Sequence, residues 1–301
     1  MRVAVTEERP SRTEKVTGPL TPRRSIGASI KRLREEAGQS LQEVADELMI
    51  SRSKLSRLEN AQGRPLPRDI RDLIRHFGIQ GKPEANRLQR WVQDAQRTGW
   101  WSEYDVLTGT SGLEAHVAYE TDAAVVRTYT MPFLPALLQT QDYAVAVFRD
   151  LERRSADEID ELAQVRLKRQ EALIARDEMP PLELVAVTHE STLRQLVGSE
   201  ETMRTQLDAL AERPSTPNVQ LYVLPFSAKP VFSMTCMYAY FEYQDADNLV
   251  HIETHGGFTI IDDPMQVARY RRAHAALVHA ALNEDASRAL IGSIRDEWKH
   301  P

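Results

Sequence analysis

One cysteine in 301 residues, Cys236, excludes an internal disulfide framework and any CxxC zinc or redox motif; a reducing cytoplasm is the simplest address for such a chain. Set in an apolar segment, that thiol is expected to pack in the core, where burial disfavours a thiolate nucleophile. Long apolar runs are also missing. The longest stretch free of Asp, Glu, Lys and Arg, residues 214–228, has 15 residues including three prolines, short of the roughly 18–20 that a membrane span needs. The first ten residues, MRVAVTEERP, lack the apolar segment of a secretory signal. Of 13 glycines only Gly256 and Gly257 are adjacent, and neither GxGxxG nor a GxxxxGK phosphate loop occurs. With no GxSxG elbow and no HExxH pair either, the sequence supports no enzyme class.

What is present is the composition of an ordinary globular protein, 42% hydrophobic and 27% charged, long enough for two domains. The net charge of −6 conceals a split. Residues 1–80 hold 16 Lys and Arg against 11 Asp and Glu, hence +5, and the other 221 residues hold 22 against 33, hence −11. A small basic binding module joined to a larger acidic body has this asymmetry.

Residues 1–24 show no periodicity and end in TPRR, which reads as a mobile tail, either without a role or lying along DNA as a basic arm. From Ile26 the pattern turns helical. Ile26, Ile30, Leu33 and Ala37 share one face before Gly38; Ser40 and Glu43 form a capping box ahead of Leu41, Val44, Ala45 and Leu48; Ser51 caps a third helix. A fourth buries Ile70, Leu73, Ile74 and Phe77, and a fifth runs from Pro83 towards Arg97. Residues 25–98 thus form a mainly α domain of five short helices, and residues 99–301 an α+β domain. Helices are expected there over 157–178, 199–212, 264–281 and 284–298. Strands are expected over 182–187, 219–224, 234–243 and 249–254, and the short loops between the last strands imply a largely antiparallel sheet.

The second and third helices meet the demands of a helix-turn-helix. Small Ala45 lies where the helices cross, and Val44, Leu48, Ile50, Leu55 and Leu58 supply aliphatic buried positions. Between Ile50 and Leu58 the exposed positions are Ser51, Arg52, Ser53, Lys54, Ser56 and Arg57, all hydrogen-bond donors and none a carboxylate, as a groove lined by phosphates and base edges requires. A merely solvated basic face is the plainer alternative.

The run SLQEVADELMISRSKLSRLENAQGRP resembles the Cro/cI-type module of the xenobiotic-response-element regulators. Three later motifs are similar to the antitoxin-like C-terminal domain of actinobacterial regulators of that kind: Arg127-x-Tyr129-x-x-Pro132-x-Leu134-Pro135-x-Leu137-Leu138-Gln139-Thr140-x-x-Tyr143, Pro217-Asn218-Val219-x-Leu221-x-Val223-Leu224-Pro225-Phe226, and Asp263-Pro264-x-x-Val267-Ala268-x-Tyr270-Arg271. The resemblance implies a homodimer on double-stranded DNA with the third helix, about 52–60, in the major groove. Gln42, Ser51 and Arg57 would then face phosphates, and Arg52, Ser53 and Lys54, with Ser56 beside them, base edges. It also implies a small partner protein encoded by a neighbouring gene, sequestered as an antitoxin does. A small-molecule sensor would need a ligand-sized cavity in the C-terminal domain. The family usually has Gly at the first turn position, where φ is positive; Met49 stands there in this chain, at a cost of about 1 kcal/mol.

Other clusters have plainer readings. His251, Glu253 and His255 alternate on one strand face as a metal site could, but that spacing is common by chance and no further ligand lies nearby, so a solvated or packed sheet face is the plainer reading. Trp100, Trp101 and Tyr104 pack as core or cage a ligand, and residues 129–138 line a pocket, dock a partner or pack as a buried loop. No cofactor or metal is assigned.

Overall fold

A computed structural model describes residues 18–108, 112–151, 154–177, 179–213, 216–229, 231–254 and 257–298. Five helices come first: α1 (Leu20–Glu36), α2 (Leu41–Glu47), α3 (Arg52–Glu59), α4 (Pro67–His76) and α5 (Pro83–Asp94). Their shared core contains Ile26, Ile30, Val44, Ala45, Leu55, Ile70 and Leu73, apolar positions that the periodicity marks, together with Leu88 of α5. Both halves of the Ser40–Glu43 capping box form.

The first helix begins earlier than the spacing predicts. It starts at Leu20, so residues 20–24 are helix and not tail, and residues 1–17 of that expected tail lie outside the described residues. Pro22 is tolerated because the first-turn amides of a helix have no internal partner. Leu20 does not join the core of its own five helices; it packs with Leu107, Val117 and Ala118 in the core of the following region.

That region contains α6 (Leu113–Asp122), β1 (Val125–Thr130), α7 (Gln141–Leu151), α8 (Ala156–Gln170), β2 (Glu183–His189), α9 (Glu190–Arg194), α10 (Glu200–Ala211), β3 (Val219–Leu224), β4 (Tyr238–Glu242), β5 (Leu249–Thr254), β6 (Gly257–Ile261), α11 (Pro264–Ala280) and α12 (Glu284–Glu297). The six strands form one sheet in the order β3-β2-β1-β4-β5-β6. Pairings β4–β5 and β5–β6 are antiparallel, as their short connections require, and so is β1–β4, although the chain between those two strands is long; β1–β2 and β2–β3 are parallel, reached through α7–α8 and α9–α10. Side chains alternate between two cores. Val126, Leu184, Ala186, Phe241 and Leu249 face the larger one; Tyr129, Val187, Tyr238, Tyr240 and Val250 face the other, which α11 covers with Val267 and Leu277.

The structure decides between several open readings. Trp101 is buried in the larger core, Trp100 stands edge-on to it and Tyr104 edge-on to Trp100, and Leu134, Leu137 and Leu138 are buried in the same core. Cys236 precedes the strand expected to contain it and is half-buried at the sheet margin, because the strand begins only at Tyr238. His251 is buried and stacked on Phe258, its ring 4.9 Å from that of Phe258. His255 lies outside the described residues, and among the described residues no group of His, Cys, Asp and Glu could hold a metal ion. Among the described residues no helix is long and apolar enough to cross a membrane.

Candidate nucleic-acid interface

The turn between α2 and α3 follows from the backbone bonds that close α2. The Ile50 amide donates to Ala45 O at 2.9 Å and the Met49 amide to Asp46 O at 3.1 Å, the paired bonds that end a helix through one left-handed residue. Met49 is that residue, with φ +52°, as the resemblance implies, and its side chain is 92% exposed. Helix α3 ends the same way. The Gln62 amide reaches Arg57 O at 2.7 Å, the Ala61 amide reaches Leu58 O at 3.2 Å, and Ala61 has φ +56°. The equivalent position after α1 is a glycine, Gly38 at φ +66°.

Three contacts hold α3 from behind. Arg34 of α1 grips the buried Glu59 with two bonds, Nε to Oε1 at 2.7 Å and Nη2 to Oε2 at 2.8 Å, a fork geometry that fixes direction as well as distance. Gly27 of α1 lies against the end of α3 so closely that a Cβ there would stand 2.5 Å from Glu59 O and 2.7 Å from Leu58 O, an approach open only to glycine. Lys54 Nζ reaches Asp69 Oδ2 of α4 at 2.7 Å, with the Asp69 side chain only 6% exposed.

These contacts sort the anticipated side chains. Arg52, Ser53 and Arg57 are exposed on the outer face of α3, and among the described residues neither arginine has a carboxylate within ion-pair distance. Ser51 caps α3 by accepting from the Lys54 amide at 3.2 Å, and its Oγ lies 3.2 Å from Ser53 Oγ. Ser56 is half-buried and receives Asn60 Nδ2 on its carbonyl at 2.7 Å. Lys54 is turned inward to Asp69 and away from this face. Gln42 is exposed on α2 and lines a cleft with Arg52, Arg34, Ser40 and Leu41, although its amide also donates to Asp46 Oδ1 at 2.7 Å.

Charge divides the same surface. The start of α2 is occupied by the Glu43 carboxylate, which the Ser40 amide and hydroxyl hold below the ordinary glutamate range, so it stays ionised there. Asp46 and Glu47 are exposed further along α2, Glu47 within 3.0 Å of His76 Nδ1. Phosphates would therefore be drawn to α3 and repelled along α2. The anchors Gly27, Glu59 and Asp69 were not singled out in the sequence. Gly27 alone left a trace there, as a glycine inside a helical run.

Family comparison agrees with this division. A model described as a helix-turn-helix domain matches residues 25–88, and a model described as a domain of unknown function, DUF5753, matches residues 113–293. Comparison with curated proteins and with solved structures finds no match. The helix-turn-helix supports a DNA-binding regulator; the larger match spans more than half of the chain, which belongs to the DUF5753 family.

Proposed function

We propose that this protein is a cytoplasmic, sequence-specific transcription regulator that binds double-stranded DNA as a homodimer. The observation that carries the reading is the outer face of α3, where Arg52, Ser53 and Arg57 stand exposed on a helix braced from behind by Arg34–Glu59, Gly27 and Lys54–Asp69. A recognition helix must present donors in a fixed geometry, because base readout tolerates little displacement. Arg52 pairs with a guanine edge and Ser53 reads beside it, while Arg57 and Ser51 bind phosphates; Gln42, bonded to Asp46, joins them only through the cleft it shares with Arg52. Lys54 joins them only by exchanging Asp69 for DNA, and Ser56 packs at the margin. One such helix reads only a few base pairs, so two copies on half-sites about 34 Å apart supply the needed discrimination. The region from residue 99 onward supplies dimerisation and regulation. Its cavity beside α11 favours a small-molecule signal over the antitoxin-like capture of a protein.

Titration of the purified chain with the DNA upstream of its own coding sequence tests the reading. Tight binding that falls steeply with salt is the expected result. Binding that is absent across candidate operators, or indifferent to salt, would overturn it.

A further inference from the structure

A cavity of about 550 Å³ opens between α11 and the approach to β4, within the range of roughly 300–1,000 Å³ usual for small-molecule sites. Tyr238 is its buried wall and Tyr270 stands edge-on to it, ring centroids 5.1 Å apart. Gln266, Arg269 and Arg272, three residues apart on one helix, are exposed at its rim. No carboxylate belongs to the lining, and among the described residues neither arginine has an ion-pair partner.

Behind the Tyr238 ring, outside the cavity lining, the Tyr238 hydroxyl and His274 Nδ1 share a hydrogen bond at 3.2 Å, and Tyr129 packs across from Tyr238 on the neighbouring strand, so the ring is held in place as the cavity's inner wall.

We infer that this cavity binds a small aromatic acid, its ring against Tyr238 and Tyr270 and its carboxylate held by Arg269 and Arg272. Both guanidinium groups are donors only and no carboxylate belongs to the lining, so an acceptor-rich anion fits and a cation does not. The inference rests on the regulator reading only for its purpose: the site would be where a metabolite reports to a DNA-binding protein.

Calorimetric titration of the full chain with salicylate, and with salicylamide as its neutral counterpart, tests the site. Salicylate is expected to bind about tenfold more tightly than salicylamide, and Arg269→Ala with Arg272→Ala to erase that preference. Both arginines are exposed, so this variant should fold as the parent does. Tyr270→Ala supplies the second arm: it removes a half-buried ring from the cavity, so affinity for both probes should fall while the preference for salicylate holds. No salicylate binding in the millimolar range, equal affinity for the two probes, or affinity unchanged in both variants overturns the inference. Operator binding in the same preparations separates the two readings, since its loss with salicylate binding intact sinks the regulator and spares the site, and the converse sinks the site alone.

Discussion

Replacing Lys54 with alanine distinguishes a side chain that reads DNA from one that holds the reader in place. The Lys54 ammonium keeps 35% exposure and the Asp69 carboxylate 6%, at 2.7 Å. A fully exposed pair contributes about 0–1 kcal/mol, and removing one partner of a fully buried pair costs roughly 3–5 kcal/mol. With one member buried and the other a third exposed, Lys54→Ala should cost about 2 kcal/mol, since water reaches one side of the stranded carboxylate. Asp69 also occupies the first turn of α4, where the helix dipole favours its charge and moderates the loss. Urea unfolding of the full chain reads this directly. At a slope of about 1–3 kcal/mol per molar, the transition of the helical region should move down by roughly 1 M. Lys54→Ala combined with Asp69→Asn, which strands no charge, should recover at least half of that shift. An unchanged midpoint in the single variant, or a double variant as unstable as the single one, would refute the argument that this pair anchors α3.

Met49→Gly should stabilise the protein by about 0.5–1 kcal/mol in thermal unfolding, because relief of the left-handed strain, about 1–2 kcal/mol, exceeds the added chain entropy of glycine and an exposed side chain forfeits no packing. On DNA, Arg52→Ala should change which sequences are preferred, whereas Arg57→Ala should weaken all of them and lower the slope of log affinity against log salt by about one; selection from a random-site pool at two salt concentrations checks both. The pH dependence should contain opposed contributions. Burial raises Asp122 to about 6, so its contribution is present below about pH 4 and is lost as pH rises through 6. Burial lowers His251 to about 3 and His274 to about 4, so theirs is present above about 6.5 and is lost on acidification. Asp122→Asn removes the opposing contribution, and urea midpoints between pH 4 and 7 should then fall more steeply towards acid than those of the parent; an unaltered profile would count against a raised Asp122.

Elements announced by local chemistry were legible before any coordinates. Ser40 with Glu43, Ser51 and Asn283 cap the helices they were expected to cap, and Pro83 opens α5. Elements whose environment is set from afar were not. Helix α6 buries Val117, Ala118, Tyr119 and even Glu120, so it shows no amphipathic contrast, and β1, covered on both faces, lacks a clean polar alternation. The parallel half of the sheet escaped notice with β1, because its pairing depends on crossovers and not on hairpins. For the interface, the donors of α3 could be listed from the sequence, since that pattern is local. That Lys54 faces Asp69 could not, because it depends on how α4 packs against α3.

Helix α1 has its first residue, Leu20, in the core of the large region and Ile26, Ile30 and Leu33 in the core of the small one. Its Arg24 is tied to Asp262 and to the carbonyl of Asp247 at the sheet end. A helix rooted in both cores acts as a strut, where a peptide tether would let the small region swivel. In the proposed homodimer, the two α3 helices would inherit a fixed phase around the DNA axis. One base pair inserted between half-sites rotates one of them by roughly 34° relative to the other. A tethered reader would absorb that turn, whereas a strutted one would have to bend the DNA or let go, so for such a dimer operator spacing would be as much a part of the code as operator sequence.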